Sequence, residues 1–184
     1  MITKYISAAT VLIFGLSYSY AEVDNSSVFP NLKPVANSSE YKPHVGINLG
    51  MSDTEGDSDV RPIGGINVGF QPYVPFGIVG EYFIDSFENS DDDAVNRHSL
   101  MVSMNYNFGG TTPILSHSYV GVGVGPTVED GTVYFATAPQ IGFDLPLIER
   151  EDTSLTMGMQ AKVLLTTGTS EEALLATGSV KYWY

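Results

Sequence analysis

Residues 97–108, RHSLMVSMNYNF, alternate along their length. Leu100, Val102, Met104, Tyr106 and Phe108 fall on one side, and Ser99, Met101, Ser103, Asn105 and Asn107 on the other. A period of two is the signature of a β-strand, whose successive side chains point to opposite faces. The run is also long. Strands of soluble proteins have a mode of about 5–6 residues, whereas a tilted strand crossing a bilayer needs about 9–11.

The same alternation recurs on both sides of this stretch. Before it come runs at about 44–52 (Val45, Ile47, Leu49, Met51), 61–71 (Ile66, Val68, Phe70) and 76–87 (Phe76, Ile78, Tyr82, Ile84). After it come 117–127 (Val120, Val122, Val124), 132–144 (Val133, Phe135, Ile141, Phe143), 153–166 (Leu155, Met157, Met159) and 173–184 (Leu174, Val180, Tyr182, Tyr184). No helical period competes over any long window. The opposite faces carry Gly, Ser, Asn, Thr and Gln with few charges. A soluble barrel would place its apolar face inside and its charges outside. Here the uncharged polar face suits a narrow interior and the aliphatic face suits lipid. The expected fold is all-β: a closed antiparallel up-and-down transmembrane barrel of about eight strands over residues 44–184.

Composition agrees. The 184 residues suffice for one domain. Charged residues make up 16%, against about 25% in soluble domains. There is no Cys, so disulfides and thiolate metal sites are excluded. Residues 1–21 read as a signal peptide, with Lys4, an apolar run Ile6–Leu16 and a small-x-small site at Ser19-Tyr20-Ala21. That run is too short for a membrane anchor helix. Residues 22–43, with Pro30, Pro34 and Pro43, read as a polar, largely irregular periplasmic segment, which could fold back into the barrel mouth. All 21 acids follow residue 21, while Lys4 precedes it; cleavage therefore leaves 7 of the 8 bases and a net charge of −14. Such a chain has no footprint for nucleic acid.

An even strand count returns both termini to one side, the periplasm. The loops on the other side then face the exterior. They are expected at 53–60, 88–96, 129–131 and 167–172, and they concentrate acids: Asp53, Glu55, Asp57 and Asp59, then Asp91, Asp92 and Asp93, with Glu88, Glu129, Asp130, Glu171 and Glu172. Arg61 and Arg97 are expected only at the rim. The connections on the terminal side are expected at 71–75, 109–116 and 145–152. The polar interior is expected to hold Glu81, Lys162, Gln160, Asn105 and Asn67. Glu81 and Lys162 lie on strands across the barrel at similar height, so a buried contact between them is predicted, because buried charges need partners.

In these features the chain resembles the small eight-stranded outer-membrane β-barrel proteins, the group that includes the transmembrane domain of outer-membrane protein A and outer-membrane protein X. The resemblance covers about residues 44–184 and rests on architecture and on the last strand. Val180, Tyr182 and the terminal Tyr184 match the family's assembly signal, although Ser179 stands where members often have Gly. It implies outer-membrane lipid, lipopolysaccharide and the barrel-assembly machinery as partners, and no cofactor.

Sharper chemistries find less support. Some outer-membrane barrels modify lipid A with Ser, His and an acid. His98 and Ser99 are adjacent on a strand, so they point apart, and the His-x-Ser spacing is missing after His98 and His117. The alternating carboxylates Asp53 to Asp59 could hold a hard cation, but they lack the EF-hand order; solvated loop carboxylates are the simpler reading. An eight-stranded interior is just wide enough for side chains to fill. The sequence therefore points to a non-enzymatic outer-membrane barrel with a structural or surface-interaction role, with a narrow channel and a lipid A-modifying enzyme as alternatives.

Overall fold

The computed structural model describes residues 33–34, 43–57, 59–88, 94–108, 117–150, 153–168 and 172–184, with backbone alone at 33–34 and 71–74. The leader 1–21 and most of the segment 22–43 lie outside the described residues. From that segment, Lys33 and Pro34 pair antiparallel with Val74 and Tyr73.

The long strands are β1 (His44–Thr54), β2 (Arg61–Val74), β3 (Phe76–Glu88), β4 (Ala94–Asn107), β5 (Ser118–Glu129), β6 (Thr132–Glu149), β7 (Ser154–Thr166) and β8 (Ala173–Trp183). Each pairs antiparallel with the next, and β8 pairs with β1 from His44↔Trp183 to Thr54↔Ala173. The sheet is thereby closed, which removes the unpaired edges of an open sheet. The end that carries His44 and Trp183 is called terminal below, and the other end distal.

Register fixes the barrel's width. From His44 the pairing runs through Gly69, Val79, Ser103, Gly123, Ala138, Leu164 and Ala173, and it meets β1 again at Thr54, ten residues on. The Ala138–Leu164 step lies between the Thr137↔Leu165 and Gln140↔Lys162 pairs. Such an offset over eight strands tilts them by about 40° and gives a backbone radius of about 8 Å.

Alternation sorts the faces. Val45, Ile47, Leu49, Met51, Ile66, Val68, Leu100, Val102, Met104, Val122, Met157 and Met159 are exposed on the outer wall. Asn48, Asn67, Glu81, Ser99, Ser103, Asn105, Gln140 and Lys162 are buried inside. Aromatic side chains cluster outside at the terminal end. Tyr106 meets Phe76 and Phe108 edge-on, at 5.5 and 5.6 Å between ring centroids, and Tyr182 stacks on Tyr184. Apolar belts edged by aromatic girdles mark membrane barrels.

The connections differ from the sequence expectation in two ways. At the terminal end, 71–74 and 145–149 are strand, not loop. Bulges between Phe70 and Tyr73 and between Pro146 and Ile148 absorb the break in register there. At the distal end the β5–β6 turn is only Asp130-Gly131, since Glu129 pairs with Thr132. Both turn residues have positive φ, 45° and 76°, as a two-residue type I′ hairpin requires.

Candidate functional site

The lumen is filled in layers. Near mid-height, Lys162 on β7 donates to Oε2 of Glu81 on β3, directly across the barrel. Asn48 Nδ2 donates to Glu81 Oε1 at 2.7 Å, and Asn67 Nδ2 donates to Asn48 Oδ1 at 2.8 Å. The Lys162 ammonium also lies 5.1 Å from the centre of the Phe83 ring. Both carboxylate oxygens thus have donors, the condition for holding a charge in a low-dielectric interior. Towards the terminal end, Gln160 donates to Gln140 and Gln140 to Asn105, at 2.9 and 2.6 Å. The structure places all five predicted interior residues in this polar region.

Distal to it, the sequence reading missed an apolar layer. Ile63, Phe83, Met101, Ala136, Ala138, Leu164, Ala173 and Leu175 form one buried cluster inside the barrel. Met101, Leu164 and Leu175 have no exposed surface. The signal was available in strand parity. Phe83 lies between inward Glu81 and Asp85, Met101 between Ser99 and Ser103, and Leu164 two residues beyond Lys162.

Beyond that layer lies a second ionic cluster. Arg97 was expected only at the rim, but it is 0% exposed inside the barrel. Its parity with Ser99 turns it inward, and two carboxylates compensate its charge. Nη2 reaches Asp85 Oδ2 at 2.5 Å, Nε reaches Asp85 Oδ1 at 3.1 Å, and Nη1 lies 3.7 Å from Glu129. Ser52 donates to the same Asp85 carboxylate at 2.9 Å, and Phe87 stacks on the guanidinium. Glu129 is therefore an interior residue, not a loop carboxylate.

The distal rim is acidic but partly neutralised. Asp53, Glu55, Asp59 and Asp130 are exposed. Asp57, expected as a solvated loop acid, has a fully buried side chain. It accepts from the amides of Asp59 and Glu88, at 2.9 and 3.0 Å, and from Arg61 Nε at 3.2 Å. The Asp59 amide, then the Glu88 amide and the Arg61 guanidinium, hold its carboxyl below the ordinary 3.8 against the opposing cost of burial. Arg61 also pairs with Glu88. Among the described residues no three His, Asp or Glu side chains form a metal cluster. Asp91, Asp92, Asp93 and Glu171 lie outside the described residues.

His98 and Ser99 point apart. Ser99 is buried and bonded to Thr127 at 2.9 Å, while His98 faces outward, its Nδ1 2.8 Å from the Tyr82 hydroxyl. At the terminal end a cavity of about 40 Å³ is lined by His44, Asn105, Tyr119, Asp144, Lys181 and Trp183. Lys181 donates to Asp144 there at 2.6 Å. Val180, Tyr182 and Tyr184 all lie exposed on the outer wall.

No protein-family description and no curated protein matches the chain. Solved structures do. Neisserial surface protein A is 12% identical, with a TM-score of 0.53 over 78% of this chain and 96% of that one. The outer-membrane protein OprG of Pseudomonas aeruginosa is 10% identical, with a TM-score of 0.46 over 79% and 97%. A designed transmembrane β-barrel is 13% identical, with a TM-score of 0.41 over 79% and 98%. The closed register, the outward apolar belt and the polar lumen agree with the likeness to Neisserial surface protein A: the chain has the fold of the small eight-stranded outer-membrane β-barrels.

Proposed function

We propose that this chain is an integral, non-enzymatic protein of the bacterial outer membrane, with both termini in the periplasm and the distal rim at the cell exterior. Its role is envelope structure or surface attachment through that acidic rim, not solute passage. The observation that carries this reading is the apolar layer inside the barrel. Met101, Leu164 and Leu175 have no exposed surface, and Phe83 lies beside them in the same buried cluster. Ion pairs occupy the lumen on both sides of the layer. A permeating ion would have to leave water to cross it, at a cost of several kcal/mol or more.

The exposed carboxylates Asp53, Glu55, Asp59 and Asp130 would select a cationic surface partner by charge complementarity. Outward Val180, Tyr182 and Tyr184 at the terminal end support recognition by the barrel-assembly machinery. The opposite orientations of His98 and Ser99 argue against lipid A hydrolysis at that pair.

Planar-bilayer recording of the refolded protein tests the reading. Stable insertion without discrete conductance steps is expected; reproducible steps would replace it with a narrow channel. Unchanged lipid A masses in cells with and without the protein are expected, and a lost or added acyl chain would favour the enzyme.

A further inference from the structure

The outer wall carries a hydrogen-bonded polar pair within its apolar surface. Tyr82 on β3 and His98 on β4 both face outward, joined at 2.8 Å. Ile84↔His98 and Ser86↔Asn96 are neighbouring pairs of the same ladder, so parity turns Ser86 and Asn96 to the same face, one step nearer the distal rim. Below them the two strands present Ile78, Leu100, Val102, Met104, Tyr106 and Phe76. Eight residues separate the Phe76↔Tyr106 girdle from the Ile84↔His98 pair. At 3.3 Å per residue and a 40° tilt this is about 20 Å. The apolar band of such barrels is about 25 Å tall, so the polar notch sits at its distal edge.

We propose that Tyr82, His98, Ser86 and Asn96 bind the phosphate of a lipid headgroup in the distal leaflet, an inference that rests on the membrane reading above. With the phenol donating to Nδ1, the imidazole keeps its proton on Nε2, which then serves as a donor. The Asn96 amide and the Ser86 hydroxyl add donors beside it, and none of the four is a carboxylate. The nearest outward acid on the same strand, Glu88, is engaged by Arg61. A donor-rich notch at headgroup depth suits an acceptor-rich phosphate, with exposed Asp130 next beyond it, in the turn that follows the neighbouring strand.

The test compares wild type, His98→Phe and Tyr82→Phe, each refolded in micelles and titrated with dimyristoyl phosphatidylglycerol or with a dimyristoyl galactolipid. Native mass spectrometry counts retained lipid, and ¹⁵N chemical shifts follow His98 Nε2. Wild type should retain one phosphatidylglycerol at about a tenth of the concentration that His98→Phe needs, with a shift at Nε2, and should show no such preference for the galactolipid. Tyr82→Phe should fall between them. Equal retention by wild type and His98→Phe, or equal retention of both lipids, overturns the site. Parallel reconstitution into phosphatidylcholine vesicles separates the two levels. A wild-type barrel that does not insert overturns the membrane reading and this proposal together; insertion without lipid preference overturns only the proposal.

Discussion

Lys162 and Glu81 form an ion pair across the lumen, from strands β7 and β3 on opposite walls. Their energetic role follows from burial. Removing one partner leaves the other charge buried and uncompensated, at about 3–5 kcal/mol. Glu81→Gln and Lys162→Met should each lower the urea stability of the vesicle-folded barrel by that amount. The double variant should recover most of the loss, since the desolvation cost of both charges disappears. Equal loss in the double variant would show that the hydrogen bonds to Asn48 matter more than the charge.

Phe83 fills the apolar layer with 1% exposure. Phe83→Ala removes a ring from a cluster that relaxes only partly, and it should cost about 3–5 kcal/mol in the same unfolding measurement. It also removes the aromatic face beside the Lys162 ammonium, so a double-mutant cycle with Lys162→Met should reveal coupling of about 0.5–2 kcal/mol.

Asp57 gives the distal rim a pH dependence. Its folded pKa lies below the ordinary 3.8, so the stabilisation is complete above that value and is lost as pH falls through the folded pKa. The Glu88 amide signal, read by NMR, should titrate with a midpoint below 3.8, and Asp57→Asn should flatten the curve. A midpoint above the ordinary value would mean that burial outweighs the three donors.

Gly125 faces the lumen where β4 and β5 approach closely. A Cβ there would stand 2.0 Å from the Leu100 carbonyl oxygen, so backbone must move to accept one. Gly125→Ala should slow folding into vesicles and lower stability by about 1–3 kcal/mol. Gly64→Ala on the outer wall, whose Cβ would meet only the Leu49 side chain at 3.6 Å, should fold like wild type.

Much of this barrel was legible in alternation alone. Leu100, Val102 and Met104 against Ser99, Ser103 and Asn105 determine which face looks where, and the same parity separates His98 from Ser99. Parity also turns Arg97 and Glu129 inward, although both stand next to the acidic loops in sequence. What alternation does not encode is height. Which residues of β7 lie level with Phe83 depends on the ten-residue offset accumulated round the closed register, a property of all eight ladders at once. Pro146 falls in the stretch 145–152, expected as a connection, but a bulge gives it a place in the strand without an N–H to satisfy.

The apolar layer also divides the lumen electrically. A voltage applied across a bilayer holding the barrel would fall mainly over its least polarisable part, here the layer of Phe83, Met101, Leu164 and Leu175. Arg97, Asp85 and Glu129 then sit near the potential of the distal solution, and Lys162, Glu81, Lys181 and Asp144 near that of the terminal one. Moving any of these charges through the layer would couple to the voltage at about 2.3 kcal/mol per elementary charge per 100 mV. In that setting the barrel would be a small capacitor, with a fixed ionic plate on each side of an apolar septum.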